Sequence, residues 1–320
     1  KGVMLPLTSL AANVRFANEN MPLKAGDNMV SFLPLAHTYG CAFQFLWPFS
    51  LGCHIHFLTR APSPKVITSA FKEIRPTLII AVPLILEKIY KKQILPTIEK
   101  TSMKVLMKMP LVDKAIYKKI YNKLFEAFGG NFHEVVIGGA PLNPDVEKFL
   151  KKIRFPYSVG YGMTECGPLI SYANWDKTKY GSSGKLVDTL ELRIDSNDPY
   201  NEVGEIMVRG ENVMYGYYKN EEDTNQSIDQ EQWLHTGDLG ITDKDKFIFI
   251  RGRSKSVIVG PSGENIYPEE IESKLNNMPY VQESLVIDHN NKLVALVYPD
   301  YDVADQQGIT EESKLQEVMD

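Results

Sequence analysis

A hydroxyl and a carboxylate stand side by side in Tyr161-Gly162-Met163-Thr164-Glu165-Cys166-Gly167, directly after Gly160. Backbone left bare at Gly160 and Gly162 lets a phosphate approach, and Tyr161 offers a face on which a base can stack. Glu165 supplies the carboxylate oxygen that Mg²⁺ takes alongside phosphate. The third glycine falls at 167, so the spacing is not the dinucleotide-binding G-x-G-x-x-G. A β-turn followed by an N-capped helix would draw on the same residue types.

Two other segments have the same dual character. Gly138-Gly139-Ala140-Pro141-Leu142 follows the apolar run Val135 to Ile137, which puts small residues at the C-terminal end of a parallel strand. Open α/β sheets bind ligands there, although a plain strand-to-helix turn uses these residues equally well. Trp233-Leu234-His235-Thr236-Gly237-Asp238-Leu239-Gly240 sets an acid in a glycine-flanked turn. Such a carboxylate either serves as an ordinary turn aspartate or accepts hydrogen bonds from both hydroxyls of a ribose.

The elements that must position these residues alternate. Residues 8–20 space Leu10, Val14 and Ala17 on one helical face, with Thr8 or Ser9 able to cap the first turn. Met29 to Leu33 reads as a buried strand, followed by a helix from Thr38, a strand at Cys53 to Leu58, a helix over Pro64 to Ile74 and a strand at Thr77 to Val82. This order predicts an α/β fold, a parallel sheet flanked by helices. From Leu84 to Phe128 the period is helical, interrupted at Pro96 and Pro110. Strand signals return at Glu134 to Ile137, and after Gly181 come short β-like runs at Leu190 to Ile194, Glu205 to Arg209 and Lys246 to Ile250. Gly252-Arg253-Ser254-Lys255-Ser256 reads as a domain junction.

Composition narrows the function classes. With 43% hydrophobic and 23% charged residues the chain is of ordinary globular type. Cys41, Cys53 and Cys166 are odd in number and lack Cys-x-x-Cys spacing, which argues against a disulfide framework or a zinc site and for a reducing, cytoplasmic setting. The longest apolar run, Leu78 to Leu86, is broken by Pro83 and falls short of the ~20 residues a membrane-spanning helix needs. Charge is uneven: residues 87–126 carry ten Lys against four acids, and residues 255–320 carry four Lys against thirteen acids. An acidic balance without interleaved Arg and aromatics excludes nucleic acid as a partner. The Lys-rich stretch predicts peripheral contact with an anionic membrane, against the alternative of a solvated helical face.

Taken together, the segments resemble the adenylate-forming superfamily of acyl-CoA synthetases, peptide-synthetase adenylation domains and luciferases, over nearly the whole chain. Lys1-Gly2-Val3 looks like the tail of that family's phosphate loop, and Leu33-Pro34-Leu35-Ala36-His37-Thr38-Tyr39-Gly40 like the segment whose histidine lies beside the acyl pocket. The resemblance implies that Gly139, Ala140 and Pro141 contact adenine through their backbone. It further implies that Tyr161 stacks on adenine beside Gly162 and Met163, that Thr164 meets phosphate and that Glu165 binds Mg²⁺. Asp238 and Arg253, with Ile250, match the ribose-binding residues, and Gly160 joins His37 at the acyl pocket. A lone histidine at a strand end is more often a local hydrogen-bonding residue than a catalyst, so His37 is read as pocket lining only. Lys255 stands at the family's hinge, with Ser256 where an acid is often found, and Gly263 and Glu264 lie in the loop that approaches coenzyme A.

On this resemblance residues 1–254 form the second half of a large domain, with a β-rich subdomain at about 181–254. Residues 255–320 begin a small mobile α+β domain. The implied reaction joins a medium or long fatty acid to AMP and passes the acyl group to coenzyme A, with ATP and Mg²⁺ required. The acid class rests on the run Val82 to Tyr90 and the helical stretch behind it, which resemble the longer insertion of long-chain members. The alternatives are delivery of the adenylate to a carrier protein and a non-catalytic nucleotide-binding fragment. The rest of the phosphate loop and the family's late lysine would fall outside residues 1–320, so this stretch alone is expected to bind AMP or ATP weakly and not to complete the reaction.

Overall fold

The computed structural model describes residues 1–98, 100, 112–260, 265–290, 292–306, 308–309 and 316. Three strands, Ile79–Ala81, Val135–Ile137 and Tyr157–Val159, lie side by side in that order, all parallel, with Ile79 opposite Val135 and Val135 opposite Tyr157. All nine residues are buried. Burial on both faces is why the first two read as unbroken apolar runs rather than alternating ones. A second parallel pair joins Asn28–Ser31 to His54–Phe57. Between the two sheets stands Gln44, fully buried: its Oε1 accepts from the N–H groups of Phe32 (2.9 Å) and Leu33 (2.8 Å), and its Nε2 donates to Ile80 O at 2.8 Å.

Helices cover the three-stranded sheet. Pro64–Ile74 starts with Ser63 accepting from Val66 N, continues with Pro at its first position and stops at Arg75 in left-handed conformation, φ 54°. Pro144–Lys152 is capped by Asn143, with Asp145 and Glu147 in its first turn and Lys151 and Lys152 in its last, the polarity the helix dipole favours. Phe71, Phe128, Phe132 and Phe155 meet beneath them; Phe71 stacks on Phe128 at 5.8 Å and Phe128 lies 5.8 Å from Phe155. Each such ring contributes ~1.5–3 kcal/mol by leaving water. The fold class expected from the alternation is the one observed.

Several details differ from the sequence expectation. The first helix spans Leu7–Asn20, and neither Thr8 nor Ser9 caps it: Pro6 occupies the cap position and Ser9 Oγ donates instead to Asn212 O. The helix from Thr38 runs to Leu51 through a π-helical turn over Ala42–Leu46 and ends at Gly52, φ 77°. The long helical stretch is described as Pro83–Ile98, with a π-helical turn over Tyr90–Ile94, and as Val112–Ala127; Pro110 lies outside the described residues. Lys114, Lys118, Lys119 and Lys123 are exposed along Val112–Ala127, whose buried side is Ile120, Leu124 and Ala127. No helix among the described residues is long and apolar enough to cross a membrane.

The chain divides into two compact units. One comprises 1–193, 207–236 and 242–249, the other 194–206, 237–241 and 250–320. The β-rich region contributes Leu190–Asp195, Gly204–Gly210, Leu234–Thr242 and Ile248–Arg253, hydrogen-bonded in that order as one four-stranded sheet. Within the second unit, Val281–His289 and Lys292–Pro299 form an antiparallel hairpin, and helix Pro268–Leu275 is tied to it by Glu272 Oε1 accepting from Val286 N at 2.8 Å.

Candidate active site

The C-terminal ends of the three parallel strands are level, because Gly138 N donates to Ala81 O (3.1 Å) and Gly160 N donates to Ile137 O (2.8 Å). Beyond Ile137 the chain turns through Gly139 at φ 85°, a conformation in which glycine alone is unstrained. Gly139, Ala140 and Pro141 are exposed, so their backbone faces outward at the sheet edge where α/β folds take ligands, and Leu142 returns to the core.

Next to this turn, Tyr161 and Gly162 pair antiparallel with Leu169–Tyr172, Tyr161 opposite Ser171 and Gly162 opposite Leu169. A Cβ on residue 162 would lie 2.1 Å from Pro168 O, so only glycine lets the strands approach. A single 3₁₀ turn, Thr164–Cys166, carries the hydroxyl and the carboxylate: Thr164 is exposed and Glu165 half-buried, whereas Tyr161 is largely buried. Cys166 points inward, and burial pushes its thiol pKa up, which leaves it an inert packing residue.

Three buried polar side chains that no motif flagged hold this turn. Asn13 Nδ2 donates to Cys166 O (3.1 Å) and Ser9 O (2.8 Å), and Asn13 Oδ1 accepts from Leu169 N (2.8 Å). Asn212 Nδ2 donates to Leu169 O (2.7 Å), and Ser9 Oγ donates to Asn212 O (2.7 Å). All three side chains are fully buried. The available signal was the polar pair Ser9 and Asn13, four residues apart on a helix whose same face carries Ala17.

Tyr217 was missed as well. Its hydroxyl donates to Glu165 Oε1 at 2.8 Å, and Met214 N donates to Glu165 O at 2.8 Å. Among the described residues no group of three or more His, Cys, Asp or Glu could hold a metal by itself. A divalent ion at Glu165 would therefore share its coordination with phosphate oxygens, the arrangement Mg²⁺ favours over an all-protein cage, so the donor set fits this ion.

His37 is exposed and caps the helix from Thr38, its Nδ1 accepting from Tyr39 N at 3.2 Å. Tyr39, two residues on, places its ring against Gly138. Gly160, half-buried, opens the Tyr161 segment.

The remaining candidates belong to the second unit. Asp238, 8% exposed in its side chain, sits 3.1 Å from Nε of Arg253, whose own side chain is 73% exposed. The glycine-flanked turn expected from the sequence is instead the middle of strand Leu234–Thr242, where sheet pairing takes precedence over the local turn signal. Gly237, at φ 73°, donates its N–H to Glu205 Oε1 (2.9 Å), and its carbonyl accepts from Ser254 N (2.9 Å), which fixes the backbone next to Asp238. Ile250 is half-buried on the neighbouring strand. Lys255 lies exposed in the turn closed by Ser256 N donating to Arg253 O at 3.0 Å. Gly263 and Glu264 lie outside the described residues.

Residues 1–218 match the protein family described as AMP-binding enzyme. Over 95% of its length the chain is 33% identical to the peroxisomal long chain acyl-CoA synthetase 7 of Arabidopsis thaliana, of which it covers 46%. It is 30% identical over 93% of its length to 4-coumarate–CoA ligase 3 of the same plant, covering 50% of that protein. Among solved structures it resembles the O-succinylbenzoate coenzyme A synthetase of Bacillus subtilis in complex with ATP and magnesium ion, with a TM-score of 0.73 and 25% identity over 93% of this chain and 57% of that one. The chain thus spans about half the length of the curated relatives it matches.

Proposed function

Since the chain belongs to the family of AMP-binding enzymes, we propose that the whole protein uses ATP to convert a fatty acid to its acyl adenylate and then transfers the acyl group to coenzyme A. The observation that carries this reading is the pair Thr164, exposed, and Glu165, half-buried, held on a buried polar scaffold in the segment that follows the parallel strand next to the one ending in the exposed Gly139-Ala140-Pro141 turn. A carboxylate is a poor electrophile, because its charge is delocalised and its leaving group would be oxide. Joining it to AMP creates a mixed anhydride whose leaving group is a phosphate.

In this reading the backbone of residues 139–141 and the face of Tyr161 hold adenine, while Gly162 and Met163 shape the approach to the phosphates. Asp238 accepts from the ribose hydroxyls, with Arg253 and Ile250 beside it. Thr164 donates to a phosphate oxygen, and Glu165 presents its carboxylate to the cation. Mg²⁺ there would supply positive charge against the phosphates as pyrophosphate departs. His37 and Gly160 border the acid, Gly263 and Glu264 meet coenzyme A, and Lys255 is the pivot between the two half-reactions. The exposed lysines of Val112–Ala127 would meet an anionic bilayer, from which a lipid-soluble acid is collected.

Long-chain acids are favoured by the relative named as a long chain acyl-CoA synthetase, and the 4-coumarate ligase sets the rival acid class. The test is acid-dependent pyrophosphate release by the full-length protein across a panel of fatty and aryl acids, with thioester formation followed in parallel. Glu165→Ala is expected to slow adenylation by ~10²-fold, the usual effect of losing one electrostatic contact at a developing charge. Normal pyrophosphate release by that variant would remove Glu165 from the reaction. Adenylate that accumulates with coenzyme A present and discharges only onto a carrier protein would replace the second half of the proposal.

A further inference from the structure

Glu165 is anchored from both ends by one short segment. Its main-chain oxygen accepts from Met214 N and its Oε1 accepts from the Tyr217 hydroxyl, each at 2.8 Å. A phenol donating to a carboxylate is a charge-assisted bond, stronger than a neutral one. With Oε1 engaged, Oε2 is the oxygen offered to a cation, in a direction set by Tyr217 rather than by a freely rotating side chain.

Tyr217 is itself immobilised. It pairs with Val3 in a two-stranded ladder, its N–H donates to Thr224 Oγ1 at 2.9 Å, and Thr224 Oγ1 donates to Asn220 O at 2.8 Å. The Lys1 ammonium lies 4.9 Å from the centre of the Tyr217 ring and 2.9 Å from Asp223, closing the outer side. Gly216, at φ 141°, admits no side chain, since a Cβ there would fall 2.5 Å from Thr224 Cγ2. The result is a rigid bracket of residues 1–4 and 214–224 around one carboxylate.

We propose that Tyr217 is a positioning residue that orients the Glu165 carboxylate toward the Mg²⁺ and phosphates of bound ATP; this rests on the reading of Glu165 given above. Partners that fix a ligating carboxylate change metal affinity by ~10–100-fold when removed.

The experiment is calorimetric titration of the full-length protein with ATP at saturating Mg²⁺, and with AMP in EDTA, for Tyr217→Phe, Glu165→Gln and the double variant. Tyr217→Phe is expected to weaken Mg²⁺·ATP binding by about 10-fold, to leave AMP binding in EDTA within about twofold, and to add nothing in the Glu165→Gln background. Unchanged Mg²⁺·ATP affinity in Tyr217→Phe, with a loss in Glu165→Gln, overturns the role of Tyr217 and leaves that of Glu165 standing. No loss in Glu165→Gln overturns both. An equal loss for AMP in EDTA makes Tyr217 a general structural support and overturns the proposal. Should Tyr217→Phe fail to fold, ring-fluorinated tyrosine at 217 keeps the contacts and acidifies the hydroxyl; altered Mg²⁺·ATP affinity then supports the proposal and unaltered affinity overturns it.

Discussion

The phenol of Tyr39 closes over Gly138: a Cβ on residue 138 would lie 3.0 Å from Cζ and 3.1 Å from the hydroxyl oxygen of that ring. The hydroxyl is shared between the carbonyl oxygens of Val136 (3.2 Å) and Ala81 (3.4 Å), and burial raises its pKa, so it remains a neutral donor. Tyr39 and Gly138 are therefore matched in volume at the end of the sheet where the candidate adenine turn begins.

Gly138→Ala is expected to destabilise the protein by ~1–3 kcal/mol through overpacking. In a Tyr39→Ala background the same change should cost at least about 1 kcal/mol less, because the clashing ring is gone. Urea unfolding of the two singles and the double measures this coupling. Equal costs in both backgrounds would mean that something other than Tyr39 limits residue 138.

Asn13→Ala deletes a donor and an acceptor that serve Cys166 O and Leu169 N in the buried interior. Each group left without a partner costs ~1–3 kcal/mol, so a loss of about 2–5 kcal/mol is expected. Asn13→Asp should be no milder, since a carboxylate cannot donate to Cys166 O. A denaturation midpoint unchanged in both variants would contradict the network.

Glu134 is fully buried, its carboxyl accepting from the Tyr172 hydroxyl and from Trp175 N (2.9 Å), with Asp176 nearby. Desolvation raises its pKa from 4.5 to about 7, with Asp176 adding to the rise and the two hydrogen bonds opposing it. The folded state then holds more protons than the unfolded one between those values, and stability falls as pH rises from about 4.5 to about 7, then levels. Glu134→Gln can keep both contacts, its oxygen accepting from Trp175 N and its amide donating to Tyr172, whose hydroxyl turns to Asn174 at 3.0 Å. This variant should flatten that part of the curve and exceed the parent at pH 8 by up to roughly 3 kcal/mol. Parallel pH–stability curves would show that Glu134 ionises normally.

Asp238→Ala should weaken AMP binding by about 10-fold or more, because charge-assisted hydrogen bonds contribute ~1.5–3 kcal/mol each. Asp238 is buried, so a denaturation midpoint measured beside the titration separates lost binding from lost stability. Calorimetry with AMP on the full-length protein decides the matter, and unaltered affinity would take Asp238 out of the ribose site.

The alternation of strands and helices, the apolar run Val135 to Ile137 and the turn at Gly138–Gly139 were legible in the sequence, because periodicity and turn chemistry are written over a few neighbouring residues. The turn that Gly160 and Gly162 also allowed is instead a strand, Tyr161–Gly162, paired with Leu169–Tyr172. The same holds for the order Thr164, Glu165, Asp238, Arg253, which carries its resemblance residue by residue. What holds those residues in place was not legible. Asn13 reaches Cys166 across 153 positions, Ser9 reaches Asn212 across 203 and Tyr217 reaches Glu165 across 52. Ser9 shows the difference most clearly, since a hydroxyl at a helix start reads locally as a cap and instead bonds Asn212 O. A side chain's partner is chosen by which groups burial leaves unpaired nearby, and that depends on how distant segments pack, so only the tertiary structure decided it.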